Sequence, residues 1–380
     1  MPTNLIKGRV SIIIPCWNGE KWIEKCFSSI RGQTYKDLEL IVIDNGSMDR
    51  SIAVMQDSFQ DLKPMIIENP SNYGFAKAMN QGIDAAKGEF IFALNLDVVL
   101  EPDYIEKLVG AFDDPKIGSA TGKLYRFPEM FGGKKIIDTT GHVFLAERSV
   151  LNRGMLQEDH GQFDDQKQIF GVCAAAAMYR REMLEGVKMG KEYFDEDYFA
   201  YYEDVDLDWR AINAGWKSVF VPEAVGFHAK RAFAKKLDKE MRIISNRNKY
   251  LTIVKNDSLI NYMIDLPVIA AHDLDYLFYS HFRDYRLFFR NLLKKFLSTP
   301  LALRKRSKLK NKRIITAREF RKYIVYDRKD RIKARDLIAS IIGVVILSFF
   351  IKFRYLLICF IIVFFVINPA VYYMNRLFKK

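Results

Sequence analysis

The sequence VSIIIPCWN (residues 10–18) decides the fold. Its first five residues are β-branched apart from one serine, and a proline closes the run at position 15. Such a short apolar run is typical of a strand that is buried on both faces of a parallel sheet. Residues 20–30 follow with apolar side chains at helical spacing, and residues 38–43 form a second apolar run. The pattern predicts alternating strands and helices.

The same alternation continues to residue 94. We predict strands at residues 65–67 and 90–94 and helices from about residue 49 and over residues 74–86. Polar residues follow the strands, with Asn18, Asp44, Asn95 and Asp97 at predicted strand ends. Ligands bind beyond the carboxyl ends of strands in such sheets. We therefore predict an α/β fold with a mostly parallel sheet flanked by helices and a ligand site at this edge.

Charge is distributed unevenly along the 380 residues. The chain carries a formal net charge of +13, but residues 281–336 alone contain 20 Lys/Arg and 5 Asp/Glu. A basic part of this kind suggests a membrane surface or a nucleic acid as partner. The four cysteines (Cys16, Cys26, Cys173, Cys359) form no CxxC pair, which argues against a disulfide framework and a zinc site. The first residues lack a long apolar run, so a secretory signal peptide is not expected.

The C-terminal part changes character after about residue 230. We predict helices from residue 235, a basic linker at residues 304–313 and a basic amphipathic helix at residues 315–335. Two uncharged runs follow, residues 337–351 and 355–373, separated by Lys352 and Arg354. These favour either a membrane hairpin or one span with an interfacial helix, while a buried helical pair in a soluble oligomer is the alternative. The predicted domains are residues 1–255, 256–336 and 337–380.

The sequence YYEDVDLDWR (residues 201–210) is acidic at the start of a predicted helix. It places Glu203, Asp204, Asp206 and Asp208 within six residues. A carboxylate here can act as a general base, and the strand-end Asp97 can hold a divalent metal. The simpler interpretation is that acids at a helix N-terminus interact favourably with its dipole.

Five motifs in order resemble family 2 glycosyltransferases of the GT-A fold. They are VSIIIPCWN (10–18), VIDNGSMD (42–49), NYGFAKAMN (72–80), NLD (95–97) and EDVD (203–206). The resemblance covers residues 8–255, and within the family it is nearest to the rhamnosyltransferase-like branch that builds surface polysaccharides. It implies transfer of a sugar from a nucleotide donor.

The resemblance also implies roles for individual residues. Asp97 would bind Mg²⁺ or Mn²⁺, with Asn95 in place of the first acid of the family's DxD sequence, and His228 would complete the metal site. The implied nucleotide-binding residues are Pro15, Trp17, Asn18, Asp44, Gly74 and Asn95. Asp44 would accept a hydrogen bond from the imide N–H of uracil or thymine.

On the acceptor side, the resemblance implies Asp204 as general base and Glu203 as a residue that orients acceptor hydroxyls. Ala174, Ala175 and Asp206 would lie near the donor sugar and the acceptor. Crowding by Glu203 and Asp206 is expected to raise the proton affinity of Asp204. Structural interpretations remain for several of these residues, since Asp44 begins a turn sequence and a lone histidine is often structural.

The sequence therefore predicts an inverting, membrane-associated glycosyltransferase at the cytoplasmic face of the cell membrane. The donor would be a dTDP- or UDP-sugar, with dTDP-rhamnose as the first choice by resemblance, and the acceptor a lipid-linked saccharide. The alternatives are a polyprenyl-phosphate glycosyltransferase and a non-catalytic, membrane-anchored sugar-nucleotide-binding protein. Specific nucleic-acid binding is not expected, and an oligomer is compatible with the sequence.

Overall fold

The structure is a computed structural model that describes residues 5–229, 238–283 and 285–326. Within these residues the chain forms two compact units. The first unit contains residues up to 144, residues 150–257 and residues 290–323. The second contains residues 145–149, 258–289 and 324–326. The predicted domains, residues 1–255, 256–336 and 337–380, stay a prediction.

The strands are β1 (Ile6–Cys16), β2 (Leu38–Asp44), β3 (Met65–Glu68), β4 (Gly88–Leu94), β5 (Val98–Leu100), β6 (Ile117–Arg126), β7 (Ile137–Thr139), β8 (His142–Leu145), β9 (Val150–Asn152), β10 (Gln168–Ile169), β11 (Ala176–Arg180), β12 (Lys217–His228) and β13 (Ile324–Val325). The helices are α1 (Glu20–Arg31), α2 (Ser51–Ser58), α3 (Phe75–Ala85), α4 (Tyr104–Gly110), α5 (Arg181–Val187), α6 (Glu203–Asn213), α7 (Asp238–Asn256), α8 (Leu259–Arg283), α9 (Tyr285–Leu309) and α10 (Ala317–Phe320).

The main sheet has the order β10-β12-β6-β11-β4-β1-β2-β3, with β5 and β7 paired at its side. Strands β4, β1, β2 and β3 are parallel, as the alternating sequence predicted. The predicted α/β class is confirmed, but the sheet is mixed rather than mostly parallel. The reason is β11, which inserts between β4 and β6 and runs antiparallel to both.

Strand β1 shows why the opening sequence forms the centre of the sheet. Its side chains alternate between the two faces. Val10, Ile12 and Ile14 pack in the core that contains helix α1, and Ile13 packs in the core that contains helix α3. All four are fully buried. A strand covered by helices on both faces favours apolar residues on both, which accounts for the run; the one buried serine, Ser11, donates a hydrogen bond to Glu39.

A buried arginine joins two elements of this core. Arg181, at the start of α5, donates hydrogen bonds to the carbonyls of Ile83 and Ala86 at the end of α3 and of Gly88 in β4. Helix C-termini leave carbonyl groups without intrahelical partners. The guanidinium therefore satisfies buried carbonyls that the turn between α3 and β4 would otherwise leave unpaired.

The basic residues near position 310 pack within the first unit. Arg306 and Arg313 donate to the carbonyls of Val254 and Lys255 at the end of α7, and Lys312 donates to the carbonyl of Lys188. Cations at helix C-termini are electrostatically favourable. The predicted linker at residues 304–313 is wrong, because residues 304–309 belong to α9. The predicted helix at residues 315–335 is wrong over its described part, which holds α10 and β13.

The second unit has a buried ion pair of its own. Arg148 lies 2.9 Å from Asp265, and the hydroxyl of Tyr326 donates to the same carboxylate. The amide of Ala146 donates to the carbonyl of Val325. Throughout the described ranges, none of the helices combines the length and the apolar character that a membrane crossing requires. The predicted apolar tail, residues 337–380, lies outside the described residues.

Candidate active site

Asp97 and His228 meet where two strands end. Asp97 follows β4 by three residues, and β5 then pairs antiparallel with the end of β12, so that Val98 lies opposite His228. The Nε2 atom of His228 is 3.3 Å from Oδ1 of Asp97. The amide of Ala229 also donates a hydrogen bond to the backbone carbonyl of Asp97, which holds these two strand ends together. The two predicted metal ligands therefore lie side by side.

The orientation of His228 suits a metal ligand. Its Nδ1 atom is 2.7 Å from the buried Asp138 carboxylate, which forms an ion pair with Arg126. A carboxylate on one ring nitrogen directs the other nitrogen outward, as around ligated histidines generally. Burial disfavours the imidazolium, but hydrogen bonds to Asp138 and Asp97 outweigh it and raise the pKa of His228 to about 9. One carboxylate oxygen and one imidazole nitrogen fit a divalent cation.

Asp44 closes a turn and keeps one oxygen free. Its Oδ2 atom accepts hydrogen bonds from the amides of Gly46 and Ser47, at 3.1 and 3.0 Å. Its Oδ1 atom is buried and has no hydrogen-bond partner among the described residues. A buried carboxylate oxygen without a partner is costly. The turn role is therefore present, and a second acceptor remains for a ligand donor.

The other predicted nucleotide contacts lie along the same edge. Asn18 joins two strand-end loops, because its amide donates to Ser47 Oγ and its side chain accepts from the amide of Met48. Trp17 is partly exposed, and Pro15 pairs with Ile43 inside the sheet. Asn18 thus positions the loop with its side chain.

Gly74 lies at the start of α3 with a φ of +84°. A Cβ atom there would lie 2.4 Å from the carbonyl oxygen of Phe199, which also accepts a hydrogen bond from the amide of Phe75. Glycine is therefore required by the close approach of the loop that precedes α6. The structure gives Gly74 this packing role, and its predicted nucleotide contact stays a prediction.

Asp204 lies at the second position of α6, with a side chain that is 15% exposed. Its Oδ2 atom accepts a hydrogen bond from the amide of Ala174, at 3.2 Å. The next residue, Ala175, accepts a hydrogen bond through its carbonyl from the amide of Asn95. One short loop therefore contacts both the Asn95–Asp97 turn and the start of α6. The structure therefore brings Asp204 and Asn95, two residues before the predicted metal ligand Asp97, to the same loop.

Glu203 differs from its neighbour. It is buried, and its Oε2 atom has no hydrogen-bond partner among the described residues. Burial and the adjacent Asp204 charge raise the pKa of Glu203 well above its ordinary value. The neutral acid is therefore favoured, and it can donate a hydrogen bond to a ligand hydroxyl.

The prediction for Asp206 needs correction. Its side chain is fully buried, and its oxygens contact Arg210, Lys255 and Asn256 at 2.7–2.9 Å. With its charge neutralised by two cations, Asp206 has no oxygen left for a sugar and does not crowd Asp204. It holds α6 in place instead.

Sequence reasoning missed His142, at the start of β8. Its Nε2 atom is 3.7 Å from Asp204 Oδ2, and its Nδ1 atom is 2.9 Å from Asp208 Oδ2. Burial lowers the pKa of His142, but the charge of Asp204 and the hydrogen bond to Asp208 outweigh it and raise the pKa well above its ordinary value. A lone histidine 62 residues before Asp204 gives no local signal, since only the folded sheet brings them together.

The mixed sheet and the site at the ends of its parallel strands have the arrangement of the GT-A fold. Residues 11–187 match the family model described as Glycosyl transferase family 2. The family predicted from the sequence therefore agrees with the family whose model these residues match.

Curated relatives agree with this family. The chain is 31% identical over 191 residues to the glycosyltransferase GlyG of Streptococcus pneumoniae serotype 4, covering 49% of this chain and 62% of GlyG. It is 22% identical over 219 residues to the poly-beta-1,6-N-acetyl-D-glucosamine synthase of Staphylococcus epidermidis, covering 57% of this chain and 48% of that protein. The chain thus spans about half to three fifths of the length of these two relatives.

Solved structures share the fold. TarS 1–349 of S. aureus in complex with UDP has a TM-score of 0.50 at 15% identity, covering 83% of this chain and 91% of that one. GalNAc-T7 with UDP, GalNAc and Mn²⁺ has a TM-score of 0.51 at 15% identity, covering 67% of this chain and 48% of that one. At this identity the likeness establishes the fold alone.

Proposed function

We propose that the protein is an inverting glycosyltransferase of surface polysaccharide biosynthesis, which transfers a sugar from a dTDP- or UDP-sugar to a lipid-linked saccharide. The observation that carries this proposal is the loop at Ala174 and Ala175, which contacts both the Asn95–Asp97 turn and Asp204. The nucleotide sugar and the saccharide acceptor would then bind on the two sides of this loop.

Mg²⁺ or Mn²⁺ would be held by Asp97 and His228. When bound, such an ion stabilises the negative charge that develops on the departing diphosphate. Asp138 keeps the His228 ring in the orientation that this requires. Manganese in the GalNAc-T7 structure supports a divalent cofactor.

Asp204 would accept the proton of the acceptor hydroxyl as that oxygen attacks the anomeric carbon opposite the leaving nucleotide. This in-line attack inverts the configuration, and a positioned base contributes about 10²- to 10⁴-fold to such a step. Glu203 as a neutral acid would donate a hydrogen bond that orients the acceptor. The partial exposure of Asp204 gives the hydroxyl access.

Asp44 would select the base of the donor. Its unpartnered Oδ1 atom can accept a hydrogen bond from the imide N–H of uracil or thymine, a donor that cytosine lacks. The UDP in the TarS and GalNAc-T7 structures supports a uracil or thymine nucleotide. dTDP-rhamnose is our first donor because the sequence resembles the rhamnosyltransferase-like branch.

Helix α9 supports a position at the cytoplasmic face of the membrane. Leu293, Phe296 and Leu297 on one side of this helix are 57–74% exposed, whereas Ala302 and Lys305 on the other side are buried. The exposed side also carries basic residues, as expected of a helix that lies on anionic lipid. This arrangement would place the enzyme beside a lipid-linked acceptor.

Nucleotide binding and transfer test the proposal separately. A thermal-shift series should show stabilisation by UDP or dTDP with Mn²⁺, but not by GDP or CMP. The Asp97→Asn variant should lose the part of this thermal stabilisation that depends on Mn²⁺. Asp204→Asn should retain nucleotide binding and lose transfer by about 10²-fold or more. Asp57→Asn, an exposed acid in α2, is the matched control. Parental transfer by Asp204→Asn would disprove the base assignment.

Acceptor and membrane are tested in the same preparation. Transfer is measured to a lipid-linked saccharide and to polyprenyl phosphate, and a preference for the second would replace the proposed acceptor. In vesicle flotation, Phe296→Glu should lower binding to anionic vesicles, while Leu151→Glu, an exposed leucine in β9, should not. Equal binding by Phe296→Glu and the parent would exclude α9 as a membrane contact.

A further inference from the structure

Three side chains that can bind a metal come together at the candidate base, which is one of them, although the cysteine spacing argued against a zinc site. The ligating atoms of His142, Cys173 and Asp204 all lie within 4.8 Å of one another. They come from β8, from the loop before β11 and from α6. No spacing rule could detect this group, because its members are separated by 31 residues each.

The histidine of this group is already oriented for a metal. Asp208 holds its Nδ1 atom, and the amide of Val172 donates to the same oxygen of Asp208. The ring therefore directs Nε2 toward Asp204. A carboxylate that holds the outer nitrogen of a ligating histidine is the usual support of zinc-binding imidazoles.

Gly171 makes room for that support. A Cβ atom at this position would lie 1.9 Å from Asp208 Oδ2 and 2.1 Å from its carboxyl carbon. Any other residue would displace Asp208 and release the His142 ring. The backbone beside Cys173 is thus shaped around the carboxylate that orients the histidine.

The chemical types of these three metal ligands indicate which cation the site would bind. A thiolate, an imidazole and one carboxylate are the ligands of Zn²⁺ and similar ions, whereas Mg²⁺ prefers oxygen alone. Three protein ligands also leave a coordination position open. This set differs from the oxygen and nitrogen pair at Asp97 and His228, so the two places would bind different ions.

We propose that His142, Cys173 and Asp204 form a second metal site, which takes Zn²⁺-class ions and inhibits transfer by occupying the candidate base. On binding, the Cys173 thiol and the His142 ring release their protons to solvent, and the metal takes the lone pairs. The inhibitory consequence rests on the proposed function, whereas the binding itself does not.

Cobalt absorption on the full chain tests the site directly. Co²⁺ should give a thiolate-to-cobalt charge-transfer band, and Cys173→Ser should remove it. Cys26→Ala, which removes a buried thiol outside the group, should retain the band. If Cys173→Ser showed the same charge-transfer band, or if the parent protein showed none, the proposed metal site would be wrong. Melting curves of both variants check that they fold.

Inhibition of transfer by Zn²⁺ is then measured at saturating Mn²⁺. The rate of each variant is expressed relative to the rate of the same variant without Zn²⁺. The Zn²⁺ concentration for half inhibition should rise about 10-fold or more in Cys173→Ser, because loss of a ligand should cost at least as much affinity as loss of a residue that supports one. Zinc that instead displaced manganese at Asp97 would inhibit both proteins equally, and this result would overturn the inhibitory role. A cobalt band that depends on Cys173 in a protein without transfer activity would count against the proposed function alone.

Discussion

Replacing Lys305 with alanine should destabilise the first unit, because this lysine lies in a buried charge cluster. Its side chain is only 8% exposed, and its Nζ atom is 2.9 Å from Glu192, 2.5 Å from Asp195 and 2.7 Å from Asp197. Lys255 pairs with Asp195 from the other side. Lys305 of α9 thus neutralises three acids in the stretch of chain that precedes α6.

The expected loss is about 3 kcal/mol. Removing one partner of a buried ion pair costs about 3–5 kcal/mol, because the remaining charge stays buried without compensation. Two features place the expected loss of stability at the lower end of this range. Asp195 keeps Lys255 as a partner, and a cavity of about 120 Å³ beside Lys305 gives water access to the acids that remain.

The effect should depend on pH in a definite direction. Burial raises the pKa of Asp195, but Lys255 and Lys305 outweigh burial and hold this pKa well below its ordinary value. A carboxylate with a lowered pKa stabilises the fold above its unfolded pKa of about 3.9, and this contribution is lost as the pH falls below it. The difference between parent and Lys305→Ala should therefore be full at pH 7 and shrink below about pH 4.

Tryptophan fluorescence during urea unfolding measures this prediction. All four tryptophans (Trp17, Trp22, Trp209, Trp216) lie in the first unit, so the signal reports on that unit. Lys308→Ala, an exposed lysine of the same helix, is the control and should change stability by no more than about 0.5 kcal/mol. A change that small for Lys305→Ala would refute the cluster as a stabilising feature.

Two further predictions concern the site. The Gly74→Ala variant should lose about 1–3 kcal/mol more stability than Gly215→Ala. Both glycines have a positive φ, but only Gly74 lies against the Phe199 carbonyl. Equal losses of stability in urea unfolding would contradict this contact. Asp138→Asn should weaken Mn²⁺ binding about 10- to 100-fold in calorimetry, because the His228 ring loses its orienting carboxylate; unchanged affinity would exclude His228 as a ligand.

The sequence predicted the parallel half of the sheet well. Its strands are short apolar runs joined by helices that follow at once, so each piece can be recognised locally. The half of the sheet beyond β4, which β11 joins to the parallel strands, could not be predicted in this way. Strand β11 pairs with residues about 85 positions earlier in β4 and about 56 earlier in β6. Such pairings depend on the whole chain, and no local pattern encodes them.

The four acids of α6 show how far a pattern can be taken. The sequence identified them as a group, but a helix distributes residues at 100° intervals, so their environments differ. Asp204 and Asp208, four residues apart, share one face, and both contact His142. Asp206 lies about 200° from Asp204 around the helix and pairs with Lys255 and Arg210.

Helical spacing alone would have separated these roles. Residues at i and i+4 can act on one ligand, whereas the acid between them must find partners on the opposite side of the helix. Arg210, four residues after Asp206, is such a partner and is visible in the sequence. Its presence predicts a paired, structural Asp206 and leaves both Asp204 and Asp208 without a cation one helical turn later. The helical period therefore separates Asp206 from this pair, and the choice of Asp204 as candidate base rests on the family resemblance.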